Sequence, residues 1–167
     1  NKVYERVNYM EERKEEDDTL LLAYKDNERD EDTIWYLNTG ASNYMYGKRS
    51  MFVELDESVG GNVSFGDESK IEVKGKGNIL IRLKNGKHEF ISNVFFVPNM
   101  KSNILSLGQL LAKGYDIHLK DGMLILKDHI GCLIAKVPMS KNRMFLLNIQ
   151  NDVVNCLKAC YKDITWL

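Results

Sequence analysis

The sequence predicts an all-β fold, a small closed or half-closed β-barrel with one short helix. Three features predict it. From Ile34 onward, short runs alternate apolar with polar residues. Tight-turn residues separate these runs, most clearly at the pair Asn85-Gly86. The apolar spacing changes to a helical one near Leu107–Lys113.

Charge divides the 167 residues into two parts. Residues 1–33 hold twelve acidic and six basic residues, whereas residues 34–167 hold twelve acidic and seventeen basic ones. We therefore expect residues 1–33 to be an acidic flexible linker and residues 34–150 to be the folded domain. Within the linker, the apolar patch Thr19–Tyr24 is a candidate docking strand or processing site.

Two hairpins are predicted in the first half of the domain. The first turns at Gly66–Ser69, and its two strands carry Val63, Phe65, Ile71 and Val73. The second turns at Asn85-Gly86 and ends before Pro98. Its strands carry the apolar residues Ile79, Ile81, Leu83, Phe90, Val94 and Phe96.

The helix and the last strands follow. One helical face carries three leucines, Leu107, Leu110 and Leu111. Gly114 is a plausible C-cap for this helix. Alternation then returns on both sides of the turn pair Asp121-Gly122. The segment "MFLLNI" predicts one more strand.

The remaining composition argues against several classes of protein. No apolar run is long enough to span a membrane, and the N-terminus lacks the order of a secretory signal. The basic segments "KGKG" and "SKNRM" lack interleaved aromatic residues, so we do not expect nucleic-acid binding.

Cysteine and histidine spacing does not predict a metal site or another cofactor. The chain has three cysteines: Cys132, Cys156 and Cys160. They are expected to be buried or free thiols in a reducing compartment, and zinc binding or a disulfide is the less favoured alternative. The three histidines lack partner spacing: His88, His118 and His129.

The candidate site is the turn Asn38-Thr39-Gly40-Ala41-Ser42, which follows four large apolar residues. With aspartate at the first position, this turn would be the active-site loop of an aspartic protease. Taken without its flanking sequence, the segment favours an ordinary Asn-Thr-Gly turn over a protease-derived loop, because asparagine tolerates turn geometry.

Three segments in order carry a resemblance to a known family: "WYLNTGASNYM", "VSFGDESKIEVKGKG" and "NVFFVPNMKSNILSLGQLLAKGYDIHL". They closely resemble the protease segment of plant copia-type retrotransposon Gag-Pol polyproteins, a retropepsin-like aspartic protease, from about Trp35 to Gln150. Residues 151–167 resemble the start of the pre-integrase segment, and residues 1–33 resemble the acidic spacer after the nucleocapsid zinc knuckle.

The family pattern is Asp-Thr-Gly-Ala-Ser, and this chain departs from it at Asn38. A second departure is Tyr44, where the family has histidine. The resemblance implies that two such turns, one from each subunit of a homodimer, bring two carboxylates together to share one proton. An amide has no titratable proton near neutral pH, so we predict that the chain as written is inactive.

The same resemblance assigns roles to the turn and to the first hairpin. Asn38 holds the position of the catalytic aspartate, Thr39 and Gly40 complete the catalytic turn, and the segment Asn103–Leu105 packs behind it. The residues expected to contact substrate are Ala41 and Ser42 of the turn and the flap residues Gly66, Asp67, Glu68 and Ser69.

The resemblance thus implies a polyprotein-processing aspartic endopeptidase domain, silenced at Asn38. Its substrates would be extended segments of the polyprotein, and its location the cytoplasmic retrotransposon particle. The alternative is a non-catalytic pseudoprotease that binds peptides or serves as a structural β-barrel module.

Overall fold

The computed structural model of the chain describes residues 31–65, 67–83, 85–151 and 165–166. The predicted linker lies almost wholly outside these residues, as do its apolar patch and the flap residue Gly66. Cys156 and Cys160 also lie outside them. Glu31–Thr33 form a single 3₁₀ turn that leads into the first strand.

The described residues form fourteen strands and one α-helix, α1, at Leu107–Ala112. A second 3₁₀ turn covers Arg49–Met51. The strands are β1 (Ile34–Asn38), β2 (Tyr44–Tyr46), β3 (Phe52–Asp56), β4 (Gly61–Ser64), β5 (Lys70–Val73), β6 (Gly75–Arg82), β7 (His88–Phe96), β8 (Asn103–Ser106), β9 (Asp116–Lys120), β10 (Met123–Lys127), β11 (Leu133–Pro138), β12 (Phe145–Asn148), β13 (Gln150–Asn151) and β14 (Thr165–Trp166).

The strands form three sheets. The largest has nine strands, in the order β12-β1-β8-β2-β7-β6-β13, with β3 also paired to β6 and β14 to β7. A second sheet has the order β11-β10-β9. An isolated β-bridge between Met139, just after β11, and Phe145 of β12 links this sheet to the largest one. β4 and β5 form a two-stranded sheet of their own. The prediction of an all-β, barrel-like domain with one short helix is confirmed.

Local turn chemistry explains the predicted hairpins. β9 and β10 are joined by Asp121 and Gly122, with φ of 52° and 73°, the positive values that a two-residue hairpin turn requires at both positions. At the turn between β6 and β7, Gly86 has φ of 81° and the side chain of Asn85 accepts a hydrogen bond from the Lys87 N–H at 3.0 Å. Both turns fall where the sequence predicted them.

The main core lies on the nine-stranded sheet and extends to the three-stranded one. Trp35, Tyr44 and Tyr46 are fully buried in it, and the Trp35 and Tyr46 rings lie 5.1 Å apart between centroids. A second group of buried residues, here called the small apolar cluster, consists of Met45, Val73, Val97 and Ile104. This cluster lies next to the candidate site.

The segment "KGKG" has a structural role at the start of β6. A Cβ at Gly77 would lie 2.0 Å from the backbone oxygen of Glu54, and one at Gly75 would lie 2.8 Å from Leu55 Cδ1. Only glycine lets β3 approach β6 this closely without a shift of the backbone. The two glycines are therefore explained by packing.

Two details of the helix and strands differ from the sequence prediction. Leu107 and Leu110 are buried, but Leu111 is 55% exposed, because the buried face of this short helix is narrower than the predicted stripe. β2 and β3 were not predicted. The helix ends one residue earlier than predicted: Lys113 is the C-cap, and Gly114, the predicted C-cap, follows it with φ of 90°. Within the described part of the chain, no helix has the length and apolarity needed to cross a membrane.

Candidate active site

The candidate turn begins where a buried pair of strands ends. β1 runs parallel to β8, with Leu37 opposite Leu105 and Asn38 opposite Ser106, and β12 pairs with the other edge of β1. Every residue of β8 is buried. Leu37 is thus paired on both sides, and Asn38 is paired with β8 on one side while its side chain reaches solvent.

The turn is closed by the side chain of its first residue. Asn38 Oδ1 accepts a hydrogen bond from the backbone N–H of Gly40 at 2.7 Å. The side chains of Asn38 and Thr39 are both exposed. Asn38 is not among the described residues with positive φ, so its backbone does not require asparagine. A carboxylate oxygen could accept the same bond, so the turn suits aspartate or asparagine equally.

Two polar residues at the start of α1 tie the turn to the core. Ser106, which is fully buried, donates from Oγ to the carbonyl of Ala41 at 2.6 Å and accepts from the Gln109 N–H at 3.0 Å as the helix N-cap. Gln109 Oε1 in turn accepts from the Tyr44 N–H at 2.8 Å. Ala41 within the turn and Tyr44, two residues after it, are therefore held by the start of the helix.

Asn103 ties the start of β8 to the start of β1. Its side-chain amide donates to the carbonyl oxygen of Ile34 at 3.0 Å and to that of Glu31 at 3.2 Å. This side chain is 7% exposed, so its hydrogen bonds offset the cost of burying an amide. Asn103–Leu105, expected to pack behind the turn, pair side by side with the strand that leads into it, opposite Trp35–Leu37.

The hairpin of β4 and β5 lies against the same part of the molecule. Val63 of β4 and Ile71 of β5 pack against the small apolar cluster, and so does Ala41 of the turn. The hairpin pairs with no strand outside itself among the described residues. It is attached mainly by these apolar contacts and by Val73, where β5 leads into β6.

The tip of this hairpin satisfies its own polar groups. Asp67 accepts hydrogen bonds from the N–H and the hydroxyl of Ser69, at 3.0 and 2.5 Å. These bonds lower the pKa of Asp67, because they favour its ionised form. Glu68 follows with φ of 64°, and all three side chains are exposed. The predicted flap residue Gly66 lies outside the described residues.

The turn supplies hydrogen-bonding groups but no acid or base. Its five residues are Asn, Thr, Gly, Ala and Ser, and none of these side chains titrates near neutral pH. One chain contributes one such turn. As arranged, the turn offers amide and hydroxyl groups, and the neighbouring hairpin contributes apolar contacts.

The described residues contain no group of three or more histidine, cysteine, aspartate or glutamate side chains that could hold a metal ion. His118 lies 2.9 Å from the Asp116 carboxylate, and the thiol of Cys132 is exposed and free.

Sequence reasoning missed Ser106 and Gln109 as parts of the site. A signal for Ser106 exists, because a serine between an apolar strand and a helical run is a typical N-cap. No local signal connects Gln109 with Tyr44, which lies 65 positions earlier.

Part of the chain, including the candidate site, matches a known family model. Residues 35–115 match the family model described as "Pol polyprotein, beta-barrel domain". This match includes the turn, the β4–β5 hairpin, β8 and α1, and it supports a Pol-derived β-barrel module over that part of the chain. A search of curated proteins found no match for the chain.

Proposed function

We propose that this chain is the protease-type domain of a copia-type retrotransposon Gag-Pol polyprotein, with Asn38 in the position of the catalytic aspartate. The observation that carries the proposal is the exposed Asn38 side chain, held at the end of a buried parallel strand pair and next to a separate hairpin. The Pol-type match over residues 35–115 supports the same origin.

The turn geometry supports a role at a two-fold axis. Aspartic proteases need two carboxylates close together, and each chain here has one turn of this kind. The active unit would therefore be a homodimer with one turn from each subunit. Gly40 lacks a side chain and is exposed, which allows a second backbone to approach closely, and the exposed Thr39 hydroxyl is available to bond across the axis.

Asparagine removes the chemistry and keeps the shape. The bond from the Gly40 N–H fixes Asn38 Oδ1 where a carboxylate oxygen would stand. A homodimer carries the substitution twice, so it loses both the base that takes a proton from water and the acid that donates to the peptide carbonyl. Each of these contributions is worth roughly 10²- to 10⁴-fold in rate. The chain as written is therefore proposed to be inactive.

The substrate class follows from the walls of the site. Ala41, Val63 and Ile71 are partly buried against the small apolar cluster, so a peptide lying over the turn and the hairpin would contact their exposed parts and the exposed polar tip. This arrangement suits an extended segment with apolar side chains, such as Leu20–Tyr24 of the same chain. The natural substrate is proposed to be the polyprotein itself, inside a cytoplasmic retrotransposon particle.

The test is the substitution Asn38→Asp in the full chain. We expect it to restore peptide cleavage with an acidic optimum, because one proton must stay on the carboxylate pair and is lost as pH rises above the upper apparent pKa. The unaltered and substituted chains are incubated from acidic to mildly alkaline pH, and fragments are identified by mass spectrometry. A statine-type inhibitor should block the cleavage.

Asn43→Asp is the matched control, since it makes the same change of amide to carboxylate five positions along the chain. It should produce no cleavage. If the Asn38→Asp chain is folded and dimeric yet cuts nothing across the pH series, the protease proposal is wrong.

A second candidate is a pseudoprotease that binds extended peptides without cutting them. Asn38 favours it directly, because the amide satisfies the turn and the apolar contacts of the hairpin remain in place. Saturable binding of a peptide covering residues 17–27 to the unaltered chain, together with failure of Asn38→Asp to cut, would favour this function.

A further inference from the structure

We infer that the edge of β7 at Glu89–Phe90 is an acceptor site for an extended strand, and that the C-terminal segment of the chain is its ligand. This site is separate from the Asn38 turn, and the inference does not depend on the proposed function. It rests on how the two edges of β7 are divided among their partners.

The first edge of β7 has one partner, whose pairing is interrupted only by a register shift opposite Ser92 and Asn93. β6 pairs with it antiparallel, from Gly75 opposite Phe96 to Arg82 opposite His88. The second edge is shared. β2 pairs with it in parallel only at Val94–Phe96, so this strand covers the last third of the edge.

Side chains of the helix region cover the middle of the second edge. The carbonyl of Asn93 accepts from Gln109 Nε2 at 3.3 Å, and the carbonyl of Ser92 accepts from Lys113 Nζ at 3.2 Å. Asn93 also has φ of 60°, which breaks the extended path of β7 at this point. A strand paired with the Val94 side of this break therefore cannot continue in register to its other side.

The first third of this edge is taken by β14. Thr165 pairs with Glu89 and Trp166 with Phe90, in parallel. Within the described residues, β14 is the strand that pairs with this part of the edge. Backbone groups at a sheet edge need partners, and an open edge recruits another strand. The division of β7 thus creates a short slot that one extended segment can fill.

The floor of the slot is rigid. Phe90 is 7% exposed and Ile91 is 1% exposed, so the acceptor strand is fixed by the core beneath it. The two residues of β14, Thr165 and Trp166, are β-branched and aromatic, residue types that favour the strand conformation. A preformed edge and a segment that prefers the strand conformation are what recognition by strand addition requires.

The consequence is an interaction site that the chain occupies with its own C-terminal segment. The covalent connection raises the local concentration of that segment to about millimolar or more. When the segment is withdrawn, the slot should accept a separate peptide of the same sequence, either added to the solution or presented by a second copy of the chain.

The test uses the full chain with Thr165→Pro and Trp166→Pro combined, since proline cannot donate to a strand ladder. Hydrogen exchange measured by mass spectrometry should be roughly tenfold faster in a peptide covering residues 89–92. Exchange at residues 94–96 should stay unchanged, because β2 covers them. Thr165→Val is the matched control, because valine keeps the strand preference, and it should exchange like the unaltered chain.

A synthetic peptide of residues 161–167 at millimolar concentration should restore protection at residues 89–92 in the double-proline chain. The same peptide with prolines at the two paired positions should not. Unchanged exchange in the double-proline chain would overturn the inference. It would be overturned equally if the slot opens and the natural peptide fails to refill it, or if the proline peptide refills it as well.

Discussion

The Asn38–Ser42 turn and the β4–β5 hairpin touch the same small apolar cluster, yet they are held in different ways. The turn is held by β1, which has a strand on each side, and by β8, whose residues are all buried. The hairpin is a sheet of two strands, and no residue of β4 is buried. One element is anchored in the core and the other lies against it.

This difference concerns where the polar groups find their partners. The carbonyl of Ala41 in the turn and the N–H of Tyr44 just after it bond to side chains of buried or half-buried residues from another part of the chain. At the hairpin tip, Asp67 bonds only to its own turn, through Ser69. A group that performs chemistry must be fixed within fractions of an ångström, whereas a cover must open. Under the proposed function, this division would serve a fixed turn covered by a movable hairpin.

The largest expected effect comes from removing apolar volume beneath the turn. Leu105 lies on β8 and is 3% exposed. The substitution Leu105→Ala should lower the free energy of unfolding by about 2–5 kcal/mol. Ile71→Ala removes a side chain of the same size from the half-exposed hairpin and should cost about 1 kcal/mol. Urea denaturation of both variants measures the difference. Equal losses would contradict the contrast between an anchored turn and a loosely attached hairpin.

A smaller effect on stability is expected from removing the hydroxyl of either of two serines that form hydrogen bonds, one at the candidate turn and one at the hairpin tip. Ser106→Ala leaves the Ala41 carbonyl and the Gln109 N–H without their buried partner, which should cost about 1–3 kcal/mol. Ser69→Ala removes an exposed hydroxyl from the hairpin tip and should change stability by about 0.5 kcal/mol or less. The comparison is made by thermal and urea unfolding. A hairpin serine as costly as Ser106 would refute it.

The smallest effect is a pH dependence at the end of the helix that supports the turn. Burial lowers the pKa of Lys113 to about 8 from its usual 10.5, with a further contribution from Lys76. Between these values the unfolded chain holds a proton that the folded chain does not, so stability rises with pH from about 8 toward 10. Because the side chain is about half exposed, the rise should be about 1 kcal/mol or less.

Lys113→Met removes this titration. Between pH 8 and 10, the free energy of unfolding should therefore rise more for the unaltered chain than for the variant. Urea unfolding at pH 7, 8, 9 and 10 measures it. Parallel stability curves for the two chains would show that Lys113 is not desolvated as its surroundings suggest. The comparison stops at pH 10 because burial and Glu89 raise the pKa of Tyr115 to about 12, which lowers stability at higher pH.

The hairpins were predictable because their information is local. Alternating residues and a turn pair such as Asp121-Gly122 fix strand, turn and register within a dozen positions. β2 escaped prediction because all three of its residues are buried and show no alternation. β3 escaped it because its position depends on Gly75 and Gly77, which admit it from another part of the chain.

The candidate site was predictable only in part. The turn was identified from its amino-acid sequence, and its position at the end of an apolar strand follows from Trp35 and Leu37. The contacts that hold the turn were not found, since Ser106 and Gln109 lie 65 positions beyond their partners. Leu111 marks the opposite error, in which a correct helical spacing overstated how much of the helix is buried.

The sequence by itself determined the chemistry available at the turn, an amide where a carboxylate would be needed, and it determined the local hairpins around that turn. The tertiary structure decided which distant segments meet there. The parallel pairing of β1 with β8, the bond from Ser106 to Ala41 and the pairing of β14 with β7 each join residues far apart in the chain. Such contacts form only when the gain from burial and hydrogen bonding exceeds the entropy cost of closing long loops, and local propensity carries no record of that balance.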